Sequence, residues 1–138
     1  MEIILHRINL LKKLRKLPNF FGTEIDIRSN GSKLILNHEP NTKGDKLEDY
    51  LSEYKHGTLI LNIKEAGIEN EVIKEVKQAK INSYFLLDVE YPYIFKSIKN
   101  KLKNITIRFS EIESINNAKI LQKNFDWIWI DTITKLPI

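Results

Sequence analysis

Short apolar runs and segments of helical period take turns along this chain, and that alternation restricts its fold more than any other feature. The runs Ile3–His6, Thr23–Arg28, Lys33–His38, Thr58–Ile63, Ser83–Asp88, Ile105–Phe109 and Trp127–Asp131 are rich in Ile, Leu, Phe and Trp, as strands buried on both faces are. Between them Leu47, Tyr50, Leu51 and Tyr54 repeat at helical spacing, with Asp45 and Glu48 placed as an N-terminal cap. Ile68, Val72, Val76 and Ala79 form a second stripe. Ile94, Phe95, Ile98 and Leu102 form a third, begun by Pro92. Ile115, Ala118 and Leu121 form a fourth, introduced by Ser110 and Glu113 at capping-box spacing. A short first helix around Leu10, Leu11 and Leu14 ends before Pro18. Asn30-Gly31 between two strand runs predicts a tight hairpin. The remaining alternation predicts a parallel sheet with helices outside, because short crossovers between parallel strands are right-handed.

Composition narrows the class. The 138 residues suit one domain, over residues 1–138, with a core of its own. Hydrophobic residues at 42% and charged residues at 29% are globular proportions and argue against disorder. The apolar runs last only a few residues, so no transmembrane segment is expected. The start, Met1-Glu2-Ile3-Ile4-Leu5-His6, has no basic region and no long apolar stretch, so the expected location is cytoplasmic. The absence of cysteine excludes a disulfide frame, a thiolate nucleophile and Cys-ligated zinc. The net charge of +4 is spread over Lys-rich helices that also carry Glu, which reads as a solvated face. The basic first helix of Lys12, Lys13, Arg15 and Lys16 has no aromatic stacking platform beside it, so nucleic acid is not expected as a partner.

The strands turn polar toward their C-terminal ends, the edge where parallel α/β folds build binding sites. His6 ends the first, Glu24 and Asp26 ride on the second, and His38 ends the hairpin. Asn62 and Lys64 end the next, then Asp88, then Arg108 with Glu111, then Asp131. Strand side chains alternate faces, so Glu24 and Asp26 share one face, as do Asn62 and Lys64. Two carboxylates two apart suit a hard cation such as Mg²⁺ or Ca²⁺, which prefers oxygen ligands. Imidazole titrates near working pH, which suits His6 and His38 to general acid–base work. Lys64 and Arg7 suit the charge that develops on phosphorus oxygens. His56, in a Lys-His-Gly turn, is expected to be exposed and without a role.

His6-Arg7, Glu24-Ile25-Asp26, Asn30-Gly31 and Ile35-Leu36-Asn37-His38-Glu39 together resemble the glycerophosphodiester phosphodiesterase family. That family belongs to the phosphatidylinositol-phospholipase-C-like phosphodiesterase superfamily. Its pattern reads His-Arg, Glu-x-Asp, a glycine turn and His-Asp, followed by Glu-x-Lys, which falls on Asn62-Ile63-Lys64. The resemblance implies a parallel (β/α) barrel of TIM type with an early β-hairpin. It implies a divalent ion, Mg²⁺ or Ca²⁺, at Glu24, Asp26 and Asn62, catalysis by His6 and His38, and phosphate contacts from Arg7 and Lys64. It further implies a phosphoric diester hydrolase of lipid metabolism that acts on a small glycerol- or sugar-linked phosphodiester. Asp88, Arg108 and Glu111 are additional candidates for this site. Three positions depart from the pattern: Asn62 replaces the third carboxylate, Glu39 follows His38 where the family has Asp, and a Glu-Asn-Thr segment is missing after His6-Arg7. The alternative reading is therefore a relative that binds a phosphorylated ligand without cleaving it.

A TIM barrel has eight strands and usually needs at least about 200 residues. About six barrel strands can be read here, and the chain stops at Lys135-Leu136-Pro137-Ile138. The expectation is an incomplete barrel that lacks its C-terminal strands, with self-association through an open edge at Trp127 and Trp129.

Overall fold

The computed structural model describes residues 1–135; Leu136, Pro137 and Ile138, part of the expected 1–138 domain, lie outside the described residues. The chain separates into two compact units, Met1–Tyr84 and Phe85–Ile138.

The first unit holds β1 (Ile4–Leu5), α1 (Leu11–Leu14), β2 (Gly22–Asn30), β3 (Lys33–Leu36), β4 (Asp45–Lys46), α2 (Leu47–Glu53), β5 (Leu59–Ile63) and α3 (Glu69–Gln78). Its strand order is β4-β3-β2-β5, and β1 also pairs with β2. The nine-residue β2 is the axis of this sheet. Ile27 is paired with both β3 and β5, and Thr23 with both β1 and β5. One edge of β2 is therefore shared by β1 at its start and β3 at its end, while β5 takes the other edge. Ile25 and Ile27 of β2, and Leu59, Ile60 and Leu61 of β5, are buried with Leu47 and Tyr50 of α2 and Val72 and Val76 of α3. The apolar stripes of both helices thus close over the sheet, as their periodicity predicts.

The backbone requires glycine at positions 31 and 22, each for its own reason. Gly31 has φ +62° and sits first of the two residues between paired Asn30 and Lys33, the glycine-first pattern of a type II′ hairpin turn. Gly22 lies so close to the Thr58 carbonyl oxygen that a Cβ would collide with it.

The second unit holds α4 (Tyr91–Lys99), β7 (Thr106–Phe109), α5 (Ile115–Leu121), β8 (Trp127–Ile130) and most of β6 (Tyr84–Leu87). β7 and β8 pair in parallel in full register, and Leu86 bridges to Ile105. The Trp127 ring packs on Phe85, with centroids 4.7 Å apart. Trp127, Ile128 and Ile130 keep large exposed surfaces.

The expected TIM-type barrel is not formed. The β2–β3 and β3–β4 ladders are antiparallel while β1–β2 and β2–β5 are parallel, so the first unit's sheet is mixed, and the second unit carries a small parallel pair. Among the described residues no ladder closes a barrel. The departure lies in the pairing of β2: β1 spans two residues, and the hairpin lays antiparallel β3 along the rest of that edge. A barrel wall needs a parallel neighbour there.

Smaller departures concern two helix caps and one apolar stripe. Asp45 lies in β4, not at the N-cap of α2, and its Oδ2 accepts the Leu11 amide of α1 at 2.7 Å. Ser114, not Ser110, caps α5 and accepts from the Asn116 amide, while the Ser110 hydroxyl donates to Glu113 at 2.7 Å. Phe95, assigned to the apolar stripe of α4, is exposed.

Candidate functional site

The polar residues of the first unit meet at one place. Glu24 and Asp26 alternate with Ile25 along β2, and all three are buried. Asp26 pairs in register with Asn62 of β5. Parallel register neighbours present their side chains on the same face of a sheet, so these residues form a short polar row beneath the strand ends.

Both carboxylates are held by protein donors. Glu24 Oε1 accepts from Asn62 Nδ2 at 2.9 Å, and Oε2 accepts from the Arg7 amide at 2.7 Å. The His6 Nε2 atom stands 3.4 Å from the same Oε2. Arg7 reaches Glu24 through a left-handed backbone, φ +55°. Such a conformation is costly for a residue with a side chain and persists only where surrounding contacts enforce it. Asp26 Oδ2 accepts from Asn9 Nδ2 at 2.8 Å, and Asn9 Oδ1 accepts the Asp26 amide at 2.8 Å. Asp26 Oδ1 receives no hydrogen bond, although Lys64 Nζ lies 3.2 Å away as a counter-ion. Asn9 is the residue that sequence reasoning missed. The only signal available was an amide three residues after His6, in a segment without periodicity.

The rim of the site is built from His6, Arg7 and His38. The Arg7 guanidinium lies 3.0 Å from His38 Nε2 through Nη2, and His38 Nδ1 lies 2.7 Å from Glu39 Oε1. Arginine can only donate, so Nε2 accepts and Nδ1 carries the proton given to Glu39. The two contacts orient the His38 ring, with Nδ1 toward Glu39 and Nε2 toward Arg7. The hydrogen bond from His38 in turn holds the Glu39 carboxyl below its ordinary range. The loop that bears His38 is internally braced: the Asn37 amide donates to the Asp26 carbonyl, and Asn37 Nδ2 donates to the Lys43 carbonyl.

The other candidates lie in the second unit. Asp88 and Asp131 both pair with the Arg108 guanidinium, the latter at 2.6 Å. Glu111 does something else: it gathers the amides of Ile133, Thr134 and Lys135. Those backbone donors, led by Thr134, pull its carboxyl down to about 2. A carboxyl lowered on folding contributes stability above its unfolded pKa and loses it as pH falls through the folded value. The amides of Ile133–Lys135 are accordingly expected to lose protection and shift together between about pH 4.5 and pH 2. Site-resolved NMR titration reads this directly, and a titration unchanged in Glu111→Gln would refute the latch.

His56 is not the exposed turn residue expected. It is half-buried, its Nε2 donates to the Leu17 carbonyl at 3.0 Å, and its ring lies 5.3 Å from that of Tyr54.

A divalent ion can be tested against the oxygens present. Asn62 Oδ1 is buried without a hydrogen bond, Asp26 Oδ1 is buried with the Lys64 ammonium 3.2 Å away, and the two sit on residues paired across β2 and β5. Oxygens of this kind suit a hard cation, with Glu24 alongside. The fit rests on two carboxylates and an amide: among the described residues no three His, Cys, Asp or Glu side chains converge as a metal centre. Also among the described residues, no helix is long and apolar enough to cross a membrane.

Compared with protein-family models, with curated proteins and with solved structures, the chain matches none.

Proposed function

We propose that the first unit is a phosphodiester-binding site built for hydrolysis, with His38 as general base, His6 as general acid and Arg7 and Lys64 as phosphate contacts. The observation that carries this reading is the way the His38 ring is held between Glu39 and Arg7. Its Nδ1–H is fixed on Glu39, and its Nε2 lone pair is turned toward Arg7, a guanidinium suited to a phosphate oxygen. A base must be held in one orientation, and its open nitrogen must face the place where the reacting group will sit.

The proton and bond inventory is simple. A hydroxyl, from a neighbouring position of the substrate or from water, gives its proton to His38 Nε2 as its oxygen bonds to phosphorus. The leaving oxygen departs from phosphorus and takes a proton from His6. Lys64 and Arg7 offset charge on the non-bridging oxygens. In the resting geometry Arg7 occupies His38 Nε2, so a bound phosphate has to draw the guanidinium away before the base is open. A divalent ion, where bound, would be held by Glu24, Asp26 and Asn62 and would supply Lewis-acid polarisation of the phosphate.

The second reading, a site that holds a phosphorylated ligand without cleaving it, is supported by Asn62. Its amide donates to Glu24 where a third carboxylate would raise affinity for a cation. Turnover of a chromogenic phosphodiester with Mg²⁺, Ca²⁺ or a chelator separates the two; binding of inorganic phosphate without turnover leaves only the second.

Asn62→Glu tests the ion itself. Without cation the substitution replaces a hydrogen bond to Glu24 with two facing carboxylates, so the melting temperature is expected to fall. With Mg²⁺ or Ca²⁺ present it is expected to recover, since saturation at about 100 times Kd adds about 2.7 kcal/mol. Calorimetric titration is expected to show tighter binding than wild type. Binding that weakens would mean that Asn62 does not ligate the ion.

A further inference from the structure

We propose that Arg28 is a positioning residue that sets the places of His38 and Lys64; the proposal deepens, and rests on, the reading of this site as one that works on phosphodiesters. Arg28 follows Asp26 by two on β2, so its side chain leaves the face that carries Glu24 and Asp26. The ladders that flank it stop short of the working residues: β3 ends at Leu36 and β5 at Ile63. His38 and Lys64 thus lie just past the last paired positions. The Lys64 amide still donates to the Ile27 carbonyl and the Asn37 amide to the Asp26 carbonyl, so the groups left to fix beyond these bonds are the carbonyls of Lys64 and His38, the residues that carry the ammonium and the imidazole.

The Arg28 guanidinium takes over both carbonyls. Its Nε and Nη2 donate to the His38 carbonyl at 3.0 and 2.9 Å, and its Nη1 donates to the Lys64 carbonyl at 3.3 Å. Glu65 stands 3.8 Å from Nη1 as a counter-ion and is itself fixed by the Ser29 amide at 2.8 Å. The side chain is only 16% exposed, so it is a packed strut and not a waving surface charge. One planar fork therefore ties the ends of two different strands to a third. Lysine keeps the charge but has no fork of fixed geometry, so it cannot reproduce the pair of bonds to one carbonyl and the third to another.

The test uses Arg28→Lys in the full chain, with Arg15→Lys as a control that breaks a guanidinium fork, to Glu53, on the exposed surface. Nitrogen-15 spectra of the imidazole rings need no substrate. In Arg28→Lys the His38 ring signals are expected to shift while those of His6 and His56 stay in place. With bis(4-nitrophenyl) phosphate, kcat is expected to fall about 10- to 100-fold, as misplacement of a reacting group by an ångström does. The limb of the pH profile that belongs to His38 is expected to move. If Arg28→Lys does not fold, Glu65→Gln loosens the counter-ion with the arginine intact and is expected to shift the same ring signals by less. Unchanged His38 signals in the folded variant, or changes matched by Arg15→Lys, would overturn the proposal. Wild-type protein that neither cleaves the diester nor binds inorganic phosphate would defeat the underlying function alone, because the ring spectra judge Arg28 without either.

Discussion

His38→Ala is expected to lower kcat on a phosphodiester about 10²- to 10⁴-fold, the usual contribution of a positioned acid or base, with a much smaller change in KM. The size follows from how the imidazole is held. Glu39 takes the Nδ1 proton at 2.7 Å, which leaves Nε2 as the one atom able to receive a proton from the reacting hydroxyl. Removal of the ring removes that acceptor, while Arg7 and Lys64 remain to bind phosphate. The cost to folding should be small, because the His38 side chain is 38% exposed and Glu39 is 70% exposed. Water screens an exposed contact of that kind. Glu39→Gln should do less harm than His38→Ala, since an amide oxygen still accepts the Nδ1–H, but the negative charge beside a developing imidazolium is gone. Steady-state kinetics with added free imidazole gives the decisive comparison: partial rescue of His38→Ala and none of wild type. Near-normal turnover in the alanine variant would show that this histidine only braces its loop.

Much of this site was legible because it depends on short-range rules. Side-chain alternation placed Glu24 with Asp26 and Asn62 with Lys64, and the structure adds the bonds between the two rows, Asn62 to Glu24 and Lys64 to Asp26. Asn9 and Arg28 were illegible for the opposite reason. Asn9 bonds Asp26 across 17 positions, and Arg28 reaches Lys64 across 36. Asn9 sits in no motif, and the alternation that puts Arg28 on the face of Glu24 and Asp26 does not say which strand ends it will reach. Asp88, Arg108 and Glu111 looked equivalent to the rest because they too follow strands, yet they belong to the second unit, where Arg108 pairs with Asp88 and Asp131 and Glu111 gathers backbone amides.

The fold divides in the same way. All seven strand runs recur as strands, because short runs of four to six residues rich in apolar β-formers leave little choice of local structure. The barrel did not follow, since the order and direction of strands depend on pairing partners that no local pattern names. The hairpin was visible in Asn30-Gly31; that β3 would then carry β4 along its outer edge was not. A two-residue strand such as Asp45–Lys46 has no period to detect, and the carboxylate assigned to cap α2 serves α1 instead.

The pairing of Asp26 with Lys64 leads to the largest expected effect on stability. Asp26 is fully buried, and Lys64, 17% exposed, lies 3.2 Å from it. Lys64→Met keeps most of the aliphatic stem but strands a buried carboxylate without its counter-ion. Breaking such a pair from one side costs about 3–5 kcal/mol, because the surviving charge keeps its desolvation penalty. That is a large part of the roughly 5–15 kcal/mol that holds a domain together. Asn9 Nδ2 still donates to Asp26 Oδ2 in the variant, which places the loss toward the lower end of the range. The double variant Asp26→Asn with Lys64→Met is expected to regain most of the loss, since no unpaired charge remains and the amide can keep its bonds to Asn9. Urea unfolding of wild type, both single variants and the double variant gives the coupling free energy as a cycle. A coupling below about 0.5 kcal/mol would mean that water screens the pair. A coupling of several kcal/mol would mean that Lys64 neutralises Asp26 in the resting protein with the same charge that it would offer a phosphate.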